Sequence, residues 1–477
     1  MENFWDYNVW GALILFSFLL GSLIVGNVIK KSIPWFQKSL IPTSVISGIL
    51  LLIVSGLYRL ITKEAFFDSA LFGNNGIANL EVITYHTLAL GFIASSLKTT
   101  KHKMSKERTV EIFNTGVTTV STYLLQGFLG IAITVVASLI FTDAFGTAGA
   151  KASGLILAFG FGQGPGQAMN YGNIYEMDYG FVGGKSFGLA VAAIGFLCAS
   201  IGGVIYINIQ KRRGKIQLAD KNDYVIHIED VQNRDEIPMQ ESIDKMTIQT
   251  ALIAVSYMIA YLLMIGLGAL LPGMKSTIFG FNFLLGVLAA TLVKVTMNLL
   301  KKKKVIKKSY TNNFILTRIS NFFFDIMIVA GIAAIRIEMI EKYWGMLVIL
   351  GVVGFVATYV YNAFVAKTLF PRYKEEQFLA MYGMLTGTAS TGIILLREVD
   401  SEFRTPAADN LVYQNFPAIA FGFPLMLIAS FAPKEPVWTI FILLAFFIVM
   451  NIILFRSRIF RKKSKKPANV AQENDSE

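Results

Sequence analysis

Long apolar stretches alternate with short polar segments along almost the whole chain. Eleven of these stretches are long enough to cross a ~30 Å hydrocarbon core as α-helices. The longest is expected to tilt or to extend beyond the bilayer. The sequence therefore predicts an all-α integral membrane protein with eleven crossings. The predicted transmembrane helices lie near 10–29, 40–58, 80–97, 109–140, 186–208, 247–271, 278–300, 319–337, 345–366, 411–431 and 437–456.

Two further apolar segments are interrupted by glycines before they are long enough to span a bilayer. They lie near 153–172, where Gly164, Pro165 and Gly166 follow one another, and near 378–396. Lipid satisfies no backbone N–H or C=O, so irregular backbone survives at membrane depth only where it lines a polar cavity. We therefore expect re-entrant hairpins. The alternative is glycine-mediated packing of intact helices, and Pro165 argues against it because proline breaks a helix.

The order of these elements indicates one plan used twice. In each half two helices come first, and then a third helix, a fourth helix, the hairpin and a fifth helix. Five crossings per half would make the second copy enter the membrane from the opposite side, as in the inverted repeats of many secondary transporters. The predicted units are a first repeat at 1–208, a cytoplasmic linker at 209–246, a second repeat at 247–431, an extra helix at 432–457 and a basic tail at 458–477.

Composition agrees with a membrane protein, and the basic residues predict its orientation. The chain is 54% hydrophobic and only 16% charged, whereas soluble domains carry about 25% charged residues. With the N-terminus outside, the inside segments hold 34 of the 43 Lys and Arg residues and the outside segments hold 8. This asymmetry follows the positive-inside rule. It predicts a multi-pass protein of the plasma (inner) membrane with a cytoplasmic C-terminus, and it accounts for the net charge of +12 without nucleic acid.

Polar side chains cluster at the two glycine breaks. Broken helices present N-terminal ends to an anion and free carbonyl groups to Na⁺. Hairpin arms of about 8 to 10 residues reach roughly 12–15 Å, half of the hydrocarbon core, so the two tips are expected to meet near the midplane. The candidate substrate-binding residues are Gln163, Gly164, Gly166, Gln167, Asn170, Thr386, Gly387, Thr388, Ser390 and Thr391.

Two ionisable residues, His86 and Asp325, lie well inside predicted helices. Such groups are costly in lipid and are functional candidates by default. We interpret both as ion-coupling candidates, with Asp325 in the inner third of its span and His86 as its potential partner. The alternative for His86 is a satisfied polar residue near the outer end of its span. The candidate Na⁺ ligands are Gly164, Thr386, Thr388 and Asp325, because oxygen atoms suit a hard cation.

Enzyme chemistry finds little support in the sequence. The three histidines are His86, His102 and His227, and they lie in one predicted span and two loops without metal-ligand spacing. The glycines at 162–166 are not followed by a βαβ pattern, so a nucleotide site is not expected. The single cysteine, Cys198, permits no disulfide within the chain. We expect no cofactor apart from Na⁺ as a coupling ion.

The two glycine-rich segments resemble the hairpins of the sodium:glutamate symporter family. Residues 157–168 resemble the first hairpin of that family and residues 378–392 resemble the second, and the shared layout covers about 10–431. The resemblance implies a homodimeric, elevator-like carrier that couples Na⁺ to an acidic amino acid. The prediction is thus Na⁺-driven symport of a small carboxylate such as glutamate. Two alternatives stay open: a cation/proton antiporter that uses Asp325, and a membrane receptor or scaffold that transports nothing.

Overall fold

The fold is known from a computed structural model, which describes residues 3–99, 105–216, 231, 235–239, 243–401 and 403–459. Within these residues ten helices are long and apolar enough to cross a membrane, or eleven if one bent pair counts as a single span. This confirms the predicted all-α membrane fold. Most of the predicted linker at 209–246 and nearly all of the tail at 458–477 lie outside the described residues.

The observed helices follow the predicted spans closely. The main helices, in chain order, are α1 (Tyr7–Ser32), α2 (Thr43–Thr62), α3 (Gly76–Ser96), α4 (Lys106–Ile140), α5 (Ile156–Gly162), α6 (Pro165–Tyr179), α7 (Gly184–Arg212), α8 (Lys245–Leu270), α9 (Asn282–Lys302), α10 (Asn313–Ala333), α11 (Trp344–Leu369), α12 (Lys374–Thr386), α13 (Ala389–Arg397), α14 (Ala407–Tyr413), α15 (Asn415–Phe431) and α16 (Pro436–Leu454). Short helices of four to six residues lie at Pro34–Lys38, Thr142–Phe145, Ala148–Ala152, Lys275–Gly280, Ile337–Ile340 and Arg456–Ile459. Single 3₁₀ turns lie at Phe66–Asp68, Ala70–Phe72, Ser153–Leu155, Pro272–Met274 and Glu341–Tyr343.

Helix α10 departs most from its predicted bounds. It begins at Asn313, six residues before the predicted start, because the Asn312 side chain caps it by accepting a hydrogen bond from the Ile315 amide at 2.8 Å. Asp325 therefore lies twelve residues into a helix of 21 residues. It sits near the middle of the helix, further from the helix start than the predicted bounds placed it, and its depth in the membrane stays a prediction.

Both glycine-rich segments fold back on themselves as helical hairpins. In the first hairpin (148–179) an added Cβ on Gly149 would lie 2.6 Å from the carbonyl oxygen of Tyr175, so the two arms run antiparallel. In the second hairpin (374–397) α12 packs closely on α13. Both hairpins are longer than the predicted 153–172 and 378–396. Helix α6 alone has 15 residues, roughly 22 Å, which exceeds the predicted arm length.

The helices assemble into two bundles, each drawing on both halves of the chain. The first bundle contains α1–α3 and α8–α10. The second bundle contains α4, the first hairpin, α7, α11, the second hairpin and α14–α16. The bundles meet mainly where α3 and α10 pack on α6 and where α7 packs on α10. The first three helices of each half thus stand apart from the elements that carry the hairpins.

Candidate functional site

The tips of the two hairpins meet inside the protein. An added Cβ on Gly164 would lie 3.3 Å from Cγ2 of Thr388 and 3.9 Å from the carbonyl oxygen of Gly387. The predicted proximity of the two tips is therefore confirmed. Gly164 has φ +84° and ψ −174°, a region that only glycine populates readily. The break between α5 and α6 depends on this glycine.

Helix α4 supports both tips from one side. The Tyr123 hydroxyl donates to the carbonyl oxygen of Gly162 at 3.0 Å, and Gln126 Nε2 donates to the carbonyl oxygen of Leu385 at 2.9 Å. These two carbonyl groups lie at the C-terminal ends of α5 and α12, where the last carbonyl groups of a helix have no intrahelical N–H donor. One helix thus satisfies the broken end of both hairpins.

A cavity of about 110 Å³ lies between the two bundles at the hairpin tips. The first bundle contributes mostly apolar side chains, and the second bundle contributes most of the polar ones together with apolar residues such as Met384, Ile419 and Met426. The polar residues Gln163 and Thr388, both predicted as binding residues, lie on its wall. Its other main lining residues are Phe92, Ser95, Phe283, Phe324 and Met327 from the first bundle and Thr119, Tyr123, Gln414 and Asn415 from the second.

Three other predicted binding residues point into the protein. Asn170 Nδ2 donates to Oε1 of Gln167 at 3.3 Å, and both side chains are buried. The Thr386 hydroxyl is fully buried and donates to the carbonyl oxygen of Tyr382 at 2.6 Å. These contacts shape the hairpins behind the tips, and a direct role in substrate binding stays a prediction.

The remaining predicted residues form the tips themselves. Thr391 is buried with its hydroxyl 3.4 Å from that of Thr388, and Ser390 is half-buried. An added Cβ on Gly166 would lie 2.9 Å from Cβ of Leu88 on α3. Gly387 is equally confined, since an added Cβ would lie 2.9 Å from Oγ1 of Thr391. The glycines therefore allow close packing of protein on protein at the tips.

Several cavity residues were not predicted, although the sequence carries a signal for them. Thr119 Oγ1 donates to Oε1 of Gln414 at 2.9 Å. On α4 the polar residues at 115, 118, 119, 122 and 126 follow the i, i+3, i+4, i+7 spacing of one helix face. Gln414 and Asn415 interrupt an apolar run, and they mark the 50° bend between α14 and α15. The polar face of α4 and the polar break between α14 and α15 could both be recognised in the sequence.

A second cavity, of about 260 Å³, adjoins the first and carries positive charge. It shares Ser95 and Asn415 with the first cavity, and both Lys98 and Lys294 line it. Lys294 Nζ donates to the carbonyl oxygen of Ser96 at 2.8 Å and to that of Lys98 at 3.2 Å. Burial lowers the pKa of the Lys98 amine, which indicates that its charge is poorly solvated. A nearby anion would stabilise that charge.

Asp325 and His86 lie apart from the tips and from each other. Asp325 faces α2, where its carboxyl group lies beside the hydroxyl of Ser44. His86 Nδ1 lies 2.6 Å from the hydroxyl oxygen of Tyr257 on α8, and the histidine is exposed on the outside of the bundle. The proposed partnership of His86 with Asp325 is therefore wrong. An ion-coupling role for either residue stays a prediction.

The coupling role of Asp325 is testable by Asp325→Asn, which keeps the size of the side chain and removes its charge. A carboxylate in the middle of a transmembrane helix is costly unless it binds a cation or a proton or finds a partner. We expect the Na⁺ concentration for half-maximal uptake to rise about tenfold, with the amount of protein in the membrane unchanged. Uptake and Na⁺ response equal to those of the wild type would assign Asp325 a structural role.

These observations indicate to which class of membrane protein the chain belongs. Membrane-spanning helices, two broken hairpins that meet tip to tip and a cavity between two bundles with polar side chains at the tips are typical of secondary transporters. A family model described as sodium/glutamate symporter matches residues 8–404. The chain belongs to that family, as the hairpin resemblance predicts. The family is one of transporters rather than enzymes, and Na⁺ is its coupling ion. No curated protein matches the sequence.

Proposed function

We propose that the protein is a Na⁺-driven symporter of a small carboxylate, most specifically glutamate, and that it works by an elevator-like movement of the second bundle against the first. The observation that carries the proposal is the meeting of two broken hairpin tips at one cavity between the bundles. Midplane sites of this kind are where discontinuous helices hold substrate and coupling ion together.

The chemistry of the cavity suits a carboxylate. Helix α6 begins at Pro165 and α13 begins at Ala389, both at the tips. The first amide groups of a helix have no intrahelical partner, and together they carry about half a positive charge. Gln163 and Thr388 add side-chain groups that donate directional hydrogen bonds. Since the side chains lining the cavity are neutral, the two helix ends would supply the charge that balances the substrate.

The placement of the cavities supports an inward-facing form of an elevator. The basic cavity with Lys98 and Lys294 leads from the tips towards the predicted cytoplasmic segment 98–108. On the predicted outer side Glu81 of α3 pairs with Lys185 of α7 at 2.5 Å, which joins the bundles. In this proposal the lysines attract the anionic substrate at the inner opening. Two inverted repeats and a homodimer, both implied by the family resemblance, belong to the same proposal.

The proposed function is tested by reconstituting the purified protein into proteoliposomes. An imposed inward Na⁺ gradient should drive accumulation of labelled glutamate well above that with K⁺ in its place, and a panel of small carboxylates would rank the substrates. Accumulation driven by a proton gradient and indifferent to Na⁺ would favour the antiporter that uses Asp325. Transport of neither solute nor ion would favour a receptor or scaffold.

We also propose an extracellular N-terminus and a cytoplasmic C-terminus in the plasma (inner) membrane. Support comes from the distribution of basic residues between the loops. In a Cys198→Ser background, Lys303→Cys should resist a membrane-impermeant thiol reagent in intact cells, because its loop would face the cytoplasm. Lys63→Cys is the matched control on the opposite side, and both positions are exposed. Labelling of Lys303→Cys from outside would reverse the orientation.

A further inference from the structure

A cluster of neutral polar groups lies directly behind the tip of the second hairpin. It brings together Gln126 of α4, Thr358 and Asn362 of α11, and the carbonyl group of Leu385 near the end of α12. Each of these residues has at most 1% of its surface exposed. A fully buried polar cluster is costly in a membrane protein unless all its groups are satisfied, so its unmet hydrogen-bonding groups are informative.

Both side-chain amide nitrogens in this cluster donate hydrogen bonds, whereas both side-chain amide oxygens lack a partner. Gln126 Nε2 donates to Oγ1 of Thr358 at 2.8 Å and to the carbonyl oxygen of Leu385 at 2.9 Å. Asn362 Nδ2 donates to the carbonyl oxygen of Thr358 at 2.9 Å. Over the described residues, neither Oε1 of Gln126 nor Oδ1 of Asn362 receives a hydrogen bond. Both amides flank Thr358, so two unsatisfied oxygens are held around one residue.

The side-chain amide nitrogen of Gln126 lies among the oxygen atoms of this cluster. It stands between two oxygens, Oγ1 of Thr358 and the carbonyl oxygen of Leu385. The terminal torsion of glutamine is broad and roughly two-fold, so a half-turn of the amide exchanges its donor for its acceptor. Oxygens from Gln126, Thr358 and Leu385 would then face one point, with Oδ1 of Asn362 nearby.

We propose that this cluster is a binding site for Na⁺, and the inference rests on the proposed Na⁺-driven symport. Hard cations take oxygen ligands, and a site made only of neutral oxygens suits a monovalent ion, whereas Ca²⁺ and Mg²⁺ sites rely on carboxylates. Carbonyl groups at the C-terminal ends of half-helices are established Na⁺ ligands in transporters. The site differs from the Na⁺ ligands predicted from the sequence, which lie at the tips and at Asp325.

The position of the cluster links the ion to the substrate cavity. Leu385 lies two residues before Gly387, where the hairpin breaks, and three residues before Thr388, which lines the cavity. A cation held by the Leu385 carbonyl would fix the end of α12 and with it the orientation of Thr388. By thermodynamic linkage, a substrate held at Thr388 would strengthen Na⁺ binding by the same factor.

The test removes one oxygen at a time in Asn362→Leu and Thr358→Val. Asn410→Leu is the matched control, because Asn410 is a fully buried asparagine with an unpaired Oδ1 elsewhere, beside Tyr373. Two quantities are measured: the Na⁺ concentration for half-maximal glutamate uptake, and the rise in melting temperature that Na⁺ causes over K⁺ without glutamate. We expect both test variants to need about tenfold more Na⁺ in each measurement, and the control to stay within twofold of the wild type.

Each outcome bears on one hypothesis. A Na⁺ response unchanged in both test variants would overturn the site and leave the symport function standing. If the wild type carries no glutamate while Na⁺ still stabilises it, and the test variants lose that stabilisation, the ion site stands and the proposed function falls. If both variants fail to fold, amide hydrogen exchange on the wild type decides: Na⁺ should slow exchange over 384–391 relative to K⁺, and equal exchange rates would overturn the site.

Discussion

Replacement of Gly387 by valine is expected to abolish uptake while leaving the protein folded. An added Cβ would lie 2.9 Å from Oγ1 of Thr391 and 3.0 Å from Cδ1 of Phe196. Neither neighbour has room to move, since Thr391 packs against Thr388 and Phe196 is fully buried. The two methyl groups of valine would therefore displace the tip and with it the Thr388 hydroxyl on the cavity wall. Labelled-glutamate uptake in proteoliposomes measures the effect.

The control for this variant is Gly266→Val on α8. There an added Cβ meets nothing within 4 Å, so the same change of residue should leave uptake near that of the wild type. The amount of each variant in the membrane and its elution in size-exclusion chromatography report on folding. Uptake by Gly387→Val at the wild-type rate would show that the second tip does not shape the transport site.

Linking the two bundles covalently is expected to stop transport almost completely. Glu81 on α3 and Lys185 on α7 form an ion pair across the bundle boundary, with 2.5 Å between Nζ and the carboxylate oxygen. In a Cys198→Ser background, Glu81→Cys with Lys185→Cys would be joined by a short bifunctional thiol reagent that a reductant cleaves. An elevator movement slides one bundle past the other, so the link should block uptake and the reductant should restore it.

The matched control is a linked pair within one bundle. Arg372 and Glu107 form an ion pair at 2.8 Å between the start of the second hairpin and α4, and both are well exposed. Linking Arg372→Cys to Glu107→Cys should leave uptake nearly unchanged, because both positions belong to the second bundle. Full uptake with the Glu81 and Lys185 positions linked would exclude an elevator that slides these two bundles.

The membrane explains why so much of the fold was predictable. Lipid demands apolar helices of a minimum length and confines irregular backbone to cavities. The long spans and both glycine breaks are therefore visible in the sequence. The positions of the two breaks also predict that the segments around Gly164 and Thr388 meet. The start of α10 was misplaced because its position depends on one capping side chain, that of Asn312, which a search for apolar stretches does not register.

The parts that escaped prediction depend on packing between distant segments. The apolar pattern places His86 and Asp325 inside their helices but does not show the direction in which each side chain faces, and so their predicted pairing was wrong. The contact between Thr119 and Gln414 joins residues 295 positions apart. Periodicity exposes the polar face of α4, but only the assembled bundle reveals that it faces Gln414. The division into two bundles, each drawing on both halves, likewise follows from tertiary contacts.

The hold of α4 on both hairpins bears on how tightly the carrier is sealed. Tyr123 and Gln126 lie three residues apart on one helix, and each bonds to the broken end of a different hairpin. A hairpin that swung open by itself as a gate would leave a buried carbonyl unpaired, at a cost of about 1–3 kcal/mol. That cost makes such openings roughly 5- to 150-fold rarer. Uncoupled passage of Na⁺ without substrate would then be rare, and the Na⁺ gradient would not be dissipated by a constant leak.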